Sequence, residues 1–504
     1  MGSLPWNTAP SNAARTDRAA MSILEHAHAV EWARRGRSAL DRMAWMALGA
    51  VLALLAVVAA QLDVKLGIAF VGAVVVVASV AARPVLLLHM ALVAVFFENS
   101  TFSGTTVTRL LAPLALFVVT AEVLRGGARI RFAAPLSWTV AYVGWALASG
   151  IWTASTDGTR FLLQSLAIAL VFMVAFAALI TTERELRDVL YTLAFVSALT
   201  GALSVFAFAW QLEIPYLELL QGGRSQGGVG DPDFFAAMQL VVVPLVLVLA
   251  TEARGRARLF LYLALFAILA SIFTSLSRGG FIGIAVLGVL LVAAHPERMF
   301  RSRREKAIAL FIVALGLVSL FTRPYFRSEV LSRAETIYSP QTQEDATGSG
   351  RTNIWKAAAR TTGENPLLGV GFGSFKYISQ ELILTTPGVA PEVLQLRQEG
   401  DNFVAHNSYL GTAAELGLTG LALYLGVLIS TALALRRTAA RAAVIGASFT
   451  RRVAHALLFG LAAWAVATIF LSGETARMLW IIVGLTLALP KLVEGRAPAA
   501  TRWG

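Results

Sequence analysis

Residues 402–420, NFVAHNSYLGTAAELGLTG, join the one long polar insertion of this 504-residue chain to an apolar run that starts at about residue 416. Asn407 is of a residue type that favours the N-cap position, so we predict a helix that begins at Ser408 and continues into the apolar run. This stretch therefore predicts a helix that passes from an aqueous loop into a membrane, with His406 at the junction.

The composition of the whole chain is that of an integral membrane protein. Hydrophobic residues make up 57% of the chain and charged residues 14%, whereas soluble domains have about 45–50% and about 25%. Continuous apolar runs favour helices over a barrel, whose strands show only weak alternation. The net charge of +12 fits cationic cytoplasmic loops, and we expect no nucleic-acid binding. The chain has no cysteine, which excludes disulfides, iron–sulfur clusters and thiolate zinc sites.

Apolar runs predict an all-α polytopic membrane protein with about 14 transmembrane helices, within a range of 12 to 14. With both termini in the cytoplasm, 28 of the 42 Lys and Arg residues lie on the cytoplasmic side. Eight of the other 14 fall in the long insertion, which the positive-inside rule exempts. The predicted runs are 43–60, 66–82, 84–97, 110–124, 133–153, 161–180, 189–210, 235–251, 259–276, 280–294, 307–322, 416–435, 453–471 and 478–490.

The predicted domain organisation follows from these runs. Residues 1–42 form a cytoplasmic N-terminal tail, because they are polar and carry six arginines. Residues 43–322 hold transmembrane helices 1–11, residues 323–404 form a long periplasmic loop, residues 405–490 hold helices 12–14, and residues 491–504 form a cytoplasmic C-terminal tail. Apolar spacing within the loop predicts helices at 329–338, 353–362 and 374–384.

His406 is the histidine that this topology places on the outer face, whereas the other five fall at or near the cytoplasmic side. The positive end of the helix that follows would favour the neutral imidazole, which is the form that a general base needs. The structural alternative is that His406 and Asn407 only end the loop and cap the helix.

Three arginines on the same predicted face form a candidate anion site. Arg278 lies where two apolar runs meet almost without a loop, Arg224 lies in a glycine-rich loop, and Arg351 opens a predicted helix of the insertion. Guanidinium groups bind phosphate oxygens in pairs and stay charged, so the three together would suit a diphosphate. Alternatively, Arg278 pairs with a lipid headgroup.

Two further motifs have structural explanations. Asp231-Pro232-Asp233 is similar to the paired carboxylates of metal-dependent sugar transferases, but Asp231 as an N-cap followed by Pro232 explains it better. We therefore predict no metal site and no cofactor. The glycines at 369–373 follow Asn365-Pro366 rather than a strand, so we do not expect a nucleotide-binding loop there. We predict a turn that docks the insertion on the membrane surface.

Five motifs occur together over about residues 220–435. They are Gly230-Asp231-Pro232, Ser277-Arg278-Gly279-Gly280, Arg351 to Trp355, Asn365-Pro366-Leu367-Leu368-Gly369-Val370-Gly371-Phe372-Gly373-Ser374-Phe375, and His406-Asn407-Ser408-Tyr409-Leu410 followed by Glu415-Leu416-Gly417. In this order they resemble the O-antigen ligase and Wzy-type polysaccharide polymerase superfamily, most strongly over 350–425. Members often carry Asn where this chain has Asp233.

The resemblance implies a multi-pass glycosyltransferase of the bacterial inner membrane, with its active site facing the periplasm. The donor would be a glycan on undecaprenyl diphosphate, and the mechanism would be metal-independent and inverting. His406 would activate the acceptor hydroxyl, Arg224 and Arg278 would hold the diphosphate, and Arg351 would support the glycan or the acceptor. The other substrate-binding candidates are Trp355, Asn407 and Tyr409.

Several activities remain open at this point. A polymerase adds repeat units of O-antigen or exopolysaccharide to another lipid-linked glycan, whereas a ligase moves the finished glycan to a lipid A core; fourteen spans and a long insertion favour the polymerase. A flippase or exporter would show intramembrane charges and internal repeats, and would not need His406. A non-catalytic assembly subunit is a further alternative. Membrane lipids and other polysaccharide-assembly proteins are the remaining expected partners.

Overall fold

The computed structural model describes residues 75–99, 101–102, 105–128, 130, 132–213, 217–293, 300, 302–307, 311, 351–386 and 403–495. Contacts divide the chain into residues 1–82 and residues 83–504, and the elements named below all belong to the second unit. The predicted N-terminal tail, the apolar run 43–60 and the predicted insertion helix at 329–338 lie outside the described residues. The same is true of most of the runs 66–82 and 307–322.

The described residues of the second unit are mostly helical. The two antiparallel hairpins pair β1 Thr101–Phe102 with β2 Thr105–Thr106, and β3 Leu220–Gln221 with β4 Arg224–Ser225. A short 3-10 helix, Ser149–Ile151, follows α3. The α-helices are α1 Leu86–Phe96, α2 Val107–Leu124, α3 Ala134–Ala148, α4 Thr156–Leu179, α5 Glu183–Trp210, α6 Pro232–Glu252, α7 Gly255–Thr274, α8 Arg278–Ala293, α9 Arg351–Glu364, α10 Phe375–Thr385, α11 Ser408–Val444, α12 Ser448–Ala467 and α13 Arg477–Glu494.

The predicted apolar runs coincide with helices wherever the structure describes them in full. Eleven of the fourteen correspond to α1–α8 and α11–α13. Within the described residues, six helices are long and apolar enough to cross a membrane, namely α2, α4, α5, α6, α7 and α11. Helices α9 and α10 confirm those predicted at 353–362 and 374–384. The chain is thus a mostly helical polytopic membrane protein, whereas the total of 14 spans stays a prediction.

Helix α6 lies at the centre of the bundle. Its most apolar stretch is 94% buried, against 33–56% for the other five long apolar helices in the described residues. It packs on α5, α7, α8 and α12. Asp231 caps its start, because the carboxylate accepts a hydrogen bond from the Phe234 backbone N–H at 2.7 Å, and Pro232 takes the first helical position. The predicted N-cap is therefore confirmed.

Within the described part of the second unit, the segments predicted to be external gather at one end of the bundle, which we call the site end. The Asn99 backbone N–H donates to the Gly228 carbonyl at 3.0 Å, which joins the loop after α1 to the loop before α6. The Ala154 N–H donates to the Val370 carbonyl at 2.8 Å, which joins the loop before α4 to the insertion. This grouping agrees with an alternating helix topology.

Helix α11 is interrupted at Gly417, where the docking turn of the insertion meets it. Gly417 has φ 69° and ψ −177°, a conformation that favours glycine. The interruption leaves backbone groups without helical partners, and the turn supplies partners for them. The Val370 N–H donates to the Ala414 carbonyl at 3.0 Å, and the Leu418 N–H donates to the Pro366 carbonyl at 2.7 Å. The glycine-rich segment is therefore a turn, as predicted, and it docks the insertion on helix α11.

Two glycines make this close approach possible. A Cβ atom at Gly417 would lie 2.3 Å from the backbone carbon of Leu367, and one at Gly369 would lie 2.4 Å from the backbone of Glu415. Both distances are too short for a side chain, so any other residue would push the turn away from α11. The turn therefore fixes where α9 and α10 stand over the helix ends.

Candidate functional site

A carboxylate in the first turn of α6 bridges two of the predicted arginines. Asp233 Oδ1 accepts a hydrogen bond from Arg224 Nη2 at 3.0 Å, and Asp233 Oδ2 accepts one from Arg351 Nη2 at 2.8 Å. Asp233 is only 5% exposed. The Ser277 hydroxyl donates to the same carboxylate, which places Arg278 one residue beyond a partner of Asp233. We call Arg224, Asp233 and Arg351 the site-end triad.

Arg224 is positioned by the hairpin of β3 and β4. Gly222 and Gly223 have φ values of 54° and 73°, as the favoured two-residue turn between antiparallel strands requires. Arg224 begins β4, and its Nε donates to the Ser275 carbonyl at 2.9 Å. The hairpin thus holds the guanidinium between the end of α7 and the start of α6.

Arg278 is the first residue of α8 and follows a tight turn. Leu276, two residues earlier, has φ 51°, a left-handed conformation that bulky residues rarely adopt. A Cβ atom at Gly279 would lie 2.9 Å from the Ala467 carbonyl oxygen, so α8 begins against the end of α12. The turn leaves Arg278 half-buried at the site end.

His406 lies just before α11 in a second left-handed turn. Its φ is 46°, in a region that histidine enters more readily than most residues and that is often found at functional sites. Asn407 then caps the helix, because its Oδ1 accepts hydrogen bonds from the Tyr409 N–H at 2.9 Å and the Leu410 N–H at 3.0 Å. The predicted helix start at Ser408 is confirmed.

Neighbouring side chains fix the segment that carries His406. Trp355 Nε1 donates to the Ala405 carbonyl at 3.0 Å, and the Tyr409 hydroxyl donates to the Ala465 carbonyl at 2.5 Å. Together with the Asn407 side-chain oxygen, these polar groups are engaged in hydrogen bonds within the chain. In this structure Trp355, Asn407 and Tyr409 therefore position His406.

A cavity of about 270 Å³ lies beside His406. Asp231 and Phe234, at the start of α6, form part of its wall, so the cavity connects His406 with the helix end that carries the site-end triad. Burial and the neighbouring carboxylate of Asp233 raise the pKa of Asp231. Within the described residues, no group of three or more His, Cys, Asp or Glu side chains is placed to hold a metal ion.

Two buried carboxyl groups on the cavity wall were missed by the sequence analysis. Glu415 and Glu474 are 8% and 7% exposed, and both line the cavity. Glu415 Oε2 accepts a hydrogen bond from the Gly373 N–H at 2.8 Å. Burial raises the pKa of Glu474 to about 7. Glu474 could have been found from the sequence, because it is a lone carboxylate in the short segment between two apolar runs.

A second triad occurs at the opposite end of α6, where Glu252 is the last residue of the helix. Glu252 accepts a hydrogen bond from Arg452 and lies 3.7 Å from Arg187 Nη1. The Arg187 guanidinium also stands 3.9 Å over the Phe449 ring. We call Arg187, Glu252 and Arg452 the far-end triad. None of these three residues lines the cavity beside His406.

Comparisons with known proteins agree with the resemblance seen in the sequence. A family model described as O-antigen ligase matches residues 263–425, a range that contains Arg278, Arg351 and His406 but not Arg224. An uncharacterized protein of Haemophilus influenzae is 23% identical over 242 residues, which cover 46% of this chain and 56% of the relative. The chain thus spans about half the length of the curated relative it matches.

Proposed function

We propose, from the premise that residues 263–425 belong to the O-antigen ligase and Wzy-type polymerase superfamily, that this chain is a glycosyltransferase of bacterial polysaccharide assembly. Its donor is a glycan linked to undecaprenyl diphosphate, and it works on the periplasmic face of the inner membrane. One observation carries the proposal: His406 and the start of α6 line one cavity, and the first turn of α6 holds two arginines.

His406 is the general base of the proposed reaction. The acceptor hydroxyl oxygen attacks the anomeric carbon of the donor sugar, and the bond from that carbon to the diphosphate oxygen breaks. The imidazole takes the hydroxyl proton as the new glycosidic bond forms. Attack from the face opposite the diphosphate inverts the anomeric configuration.

The arginines stabilise the leaving group. Undecaprenyl diphosphate gains negative charge as the glycosidic bond breaks, and fixed cations at that position lower the barrier without a metal ion. A guanidinium has five N–H donors, and the described hydrogen bonds use two on Arg224 and one on Arg351. Arg224 and Arg278 hold the diphosphate, and Arg351 supports the glycan or the acceptor. Trp355, Asn407 and Tyr409 act by positioning His406.

The proposed membrane topology of the chain is the one predicted from the distribution of Lys and Arg residues. The chain crosses the membrane 14 times with residues 1–42 and 491–504 in the cytoplasm, and the site end faces the periplasm together with the loop 323–404. Among the described residues, the far-end triad would then lie at the cytoplasmic side. A lipid-linked donor needs an active site at the membrane boundary, and the starts of α6, α8 and α11 meet that need.

Two reactions are candidates for this function. Polymerisation of repeat units is the preferred one, and ligation of the finished glycan is the alternative. Fourteen spans and a long insertion support a polymerase of O-antigen or exopolysaccharide. The description of the matched family as O-antigen ligase supports transfer of the glycan to a lipid A core instead.

Deletion of the gene followed by gel analysis of glycolipids tests both reactions. Single repeat units on the core identify a polymerase, and long polymer that stays on undecaprenyl diphosphate identifies a ligase. Loss of a secreted polymer with intact lipopolysaccharide identifies an exopolysaccharide polymerase. Unchanged glycolipids and unchanged secreted polymer would contradict the proposal.

Metal independence is tested with the purified protein in lipid nanodiscs. Transfer from the lipid-linked donor should persist in EDTA at the rate seen without it. Loss of transfer in EDTA with recovery on addition of Mg²⁺ or Mn²⁺ would assign a metal role to the Asp231 and Asp233 carboxylates.

A further inference from the structure

Glu474 lines the cavity beside His406 and has one carboxyl oxygen that is buried without a hydrogen-bond partner among the described residues. Its Oε2 has no hydrogen-bond partner among the described residues, although the side chain is 93% buried. A buried polar atom without a partner is costly, and such atoms are rare in native structures. Glu474 lines the cavity, so rotation of its carboxyl group toward the cavity would let a ligand there supply the missing donor.

The segment that carries Glu474 is held rigidly. The Ser408 hydroxyl donates to the Leu471 carbonyl at 2.9 Å and accepts from the Gly473 N–H at 2.7 Å. The Trp480 indole donates to the Glu474 carbonyl at 3.0 Å. These bonds tie the segment to the starts of α11 and α13, so the backbone that carries Glu474 is fixed in place before a ligand binds.

The rest of the wall combines the carboxyl groups of Glu415 and Asp231, the Lys376 side chain and several aromatic rings. Glu415 faces the cavity with one oxygen already bonded to the Gly373 N–H. Phe161 and Tyr377 also line the cavity, and both remain partly exposed. A sugar ring presents hydroxyl donors at its edge and C–H groups on its faces, and these match carboxylates and aromatic faces respectively. The cavity has a volume of about 270 Å³. Pockets for drug-sized ligands measure about 300–1,000 Å³, so this cavity is of a size that suits a small sugar unit.

We propose that this cavity is the subsite for the acceptor sugar, and that Glu474 binds it by accepting a hydrogen bond from one of its hydroxyl groups. The inference rests on the proposed function, because it places the acceptor hydroxyl beside His406. Glu415 and Glu474, which have no part in the proposed bond-making step, would face the bound sugar. Glu474 is a binding residue, and its charge does not enter the bond-making step.

The absence of cysteine makes a direct binding test available. Ser472 lines the cavity and Gly363 is an exposed position of α9 with open space around its Cα atom. Ser472→Cys and Gly363→Cys proteins in nanodiscs are labelled with a maleimide, with and without soluble glycans. The glycans are the repeat-unit oligosaccharide released by mild acid from the lipid-linked pool of the same strain, and the core oligosaccharide of its lipopolysaccharide.

We expect one of the two oligosaccharides to slow labelling of Ser472→Cys and neither to slow labelling of Gly363→Cys. Protection by the repeat unit that persists when the protein is saturated with the lipid-linked donor identifies a growing glycan as acceptor, and protection by the core identifies lipid A core. Adding Glu474→Ala should raise the half-protecting concentration about tenfold, the loss of one hydrogen bond to a charged group. Glu474→Gln, which keeps an acceptor oxygen and the side-chain volume, should raise it less.

Three outcomes would overturn the inference. One is equal labelling of Ser472→Cys with and without either oligosaccharide. Another is protection that Glu474→Ala and Glu474→Gln leave unchanged in proteins with unaltered thermal stability. The third is protection by MgCl₂ alone, which would make the carboxyl pair a cation site.

Failure of this inference is distinguishable from failure of the proposed function. If the deletion strain loses its polymer but Ser472→Cys is never protected, the function stands and the acceptor subsite lies elsewhere. If Ser472→Cys is protected but the deletion strain keeps all of its glycans, the cavity binds sugar and the transferase function is wrong.

Discussion

The two ends of helix α6 carry the same arrangement of charges in very different surroundings. At each end one carboxylate is held by two arginines: Asp233 in the site-end triad and Glu252 in the far-end triad. At the far end Arg187 also pairs with a second carboxylate, Glu183, at 3.3 Å. At the site end, Asp231 and Phe234, which flank Asp233 in the chain, line the cavity together with His406, whereas Asp233 and its two arginines do not line it. The far-end triad instead packs against an aromatic ring, Phe449. The arrangement of charges alone therefore does not identify an active site.

The helix dipole separates the two ends energetically. A negative charge is stabilised at a helix N-terminus and destabilised at a C-terminus. Asp233 lies in the first turn of α6, whereas Glu252 is its last residue and lies against the negative end of the dipole. Glu252 therefore depends more on its arginines, and we interpret the far-end triad as structural. At the site end the dipole already favours Asp233, and an added anion would be stabilised by the same field.

The origin of the arginines also differs between the two triads. Arg187 and Arg452 belong to the long helices α5 and α12, which pack in the bundle. Arg224 and Arg351 come from a hairpin and from the insertion. The site end thus depends on the docking turn at Gly417, and substitutions at the two ends should have different consequences.

The largest effect is expected for His406→Ala. Loss of a general base should lower the transfer rate by about 10²–10⁴-fold, while the amount of protein in the membrane stays the same. The matched control is His455→Ala in α12, which should leave the rate unchanged. Rates are measured on nanodisc-embedded protein with the lipid-linked donor. Normal polymer in a strain that produces His406→Ala at the usual level would remove His406 from the mechanism.

The next effect contrasts Arg224→Ala with Arg187→Ala. Removal of a fixed donor to the developing charge should lower the rate by about 10²–10³-fold, whereas Arg187→Ala should leave the rate per molecule of protein unchanged. Arg224→Lys should fall between wild type and Arg224→Ala, because a lysine keeps the charge but cannot bind in a bidentate manner. Equal losses of rate for Arg224→Ala and Arg187→Ala would end the distinction between the two triads.

A smaller effect on rate is expected for Asp233→Asn. The asparagine oxygen can still accept one of the two arginine hydrogen bonds, and members of the family often carry Asn here. We expect less than about a tenfold loss of rate. Glu252→Ala should instead leave Arg452 buried and unpaired, which costs about 3–5 kcal/mol and lowers the temperature of unfolding. A stable Glu252→Ala protein with a reduced rate would contradict this division of roles.

The smallest effect is expected for Trp355→Phe. This change removes the hydrogen bond to the Ala405 carbonyl and loosens His406, so we expect about a fivefold lower kcat, equivalent to about 1 kcal/mol. Trp152→Phe is the control, because it removes a similar indole hydrogen bond, at 3.1 Å to the Leu368 carbonyl, away from His406. Equal changes in kcat for the two variants would show that Trp355 acts only through stability.

Much of the fold was predictable because its signals are local. Apolar runs located the helices from α1 to α8 and from α11 to α13, and the caps at Asp231 and Asn407 marked two helix starts. The glycines before α10 indicated a docking turn. Each of these features depends on residues that are neighbours in the chain, so the sequence carries them directly.

The candidate site was only partly predictable from the sequence. His406, Arg224, Arg278 and Arg351 were singled out by residue type and by predicted topology, and their catalytic and binding roles stay predictions. The bridge through Asp233 was not foreseen, since Arg351 lies 118 residues further along the chain. The local sequence around Asp233 shows only a helix cap at Asp231 and a proline, and nothing in it specifies a pairing with distant arginines.

The sequence by itself determined that this is a helical membrane protein with a polar insertion and with a histidine at a helix start. Local hydrophobicity and capping are enough for that. The tertiary structure alone decided that Asp233 binds two arginines, that Glu252 does the same at the other end of α6, and that Glu474 lies on the same cavity wall as His406. The physical reason is that these contacts form only when helices far apart in the chain pack together, and no local pattern specifies their partners.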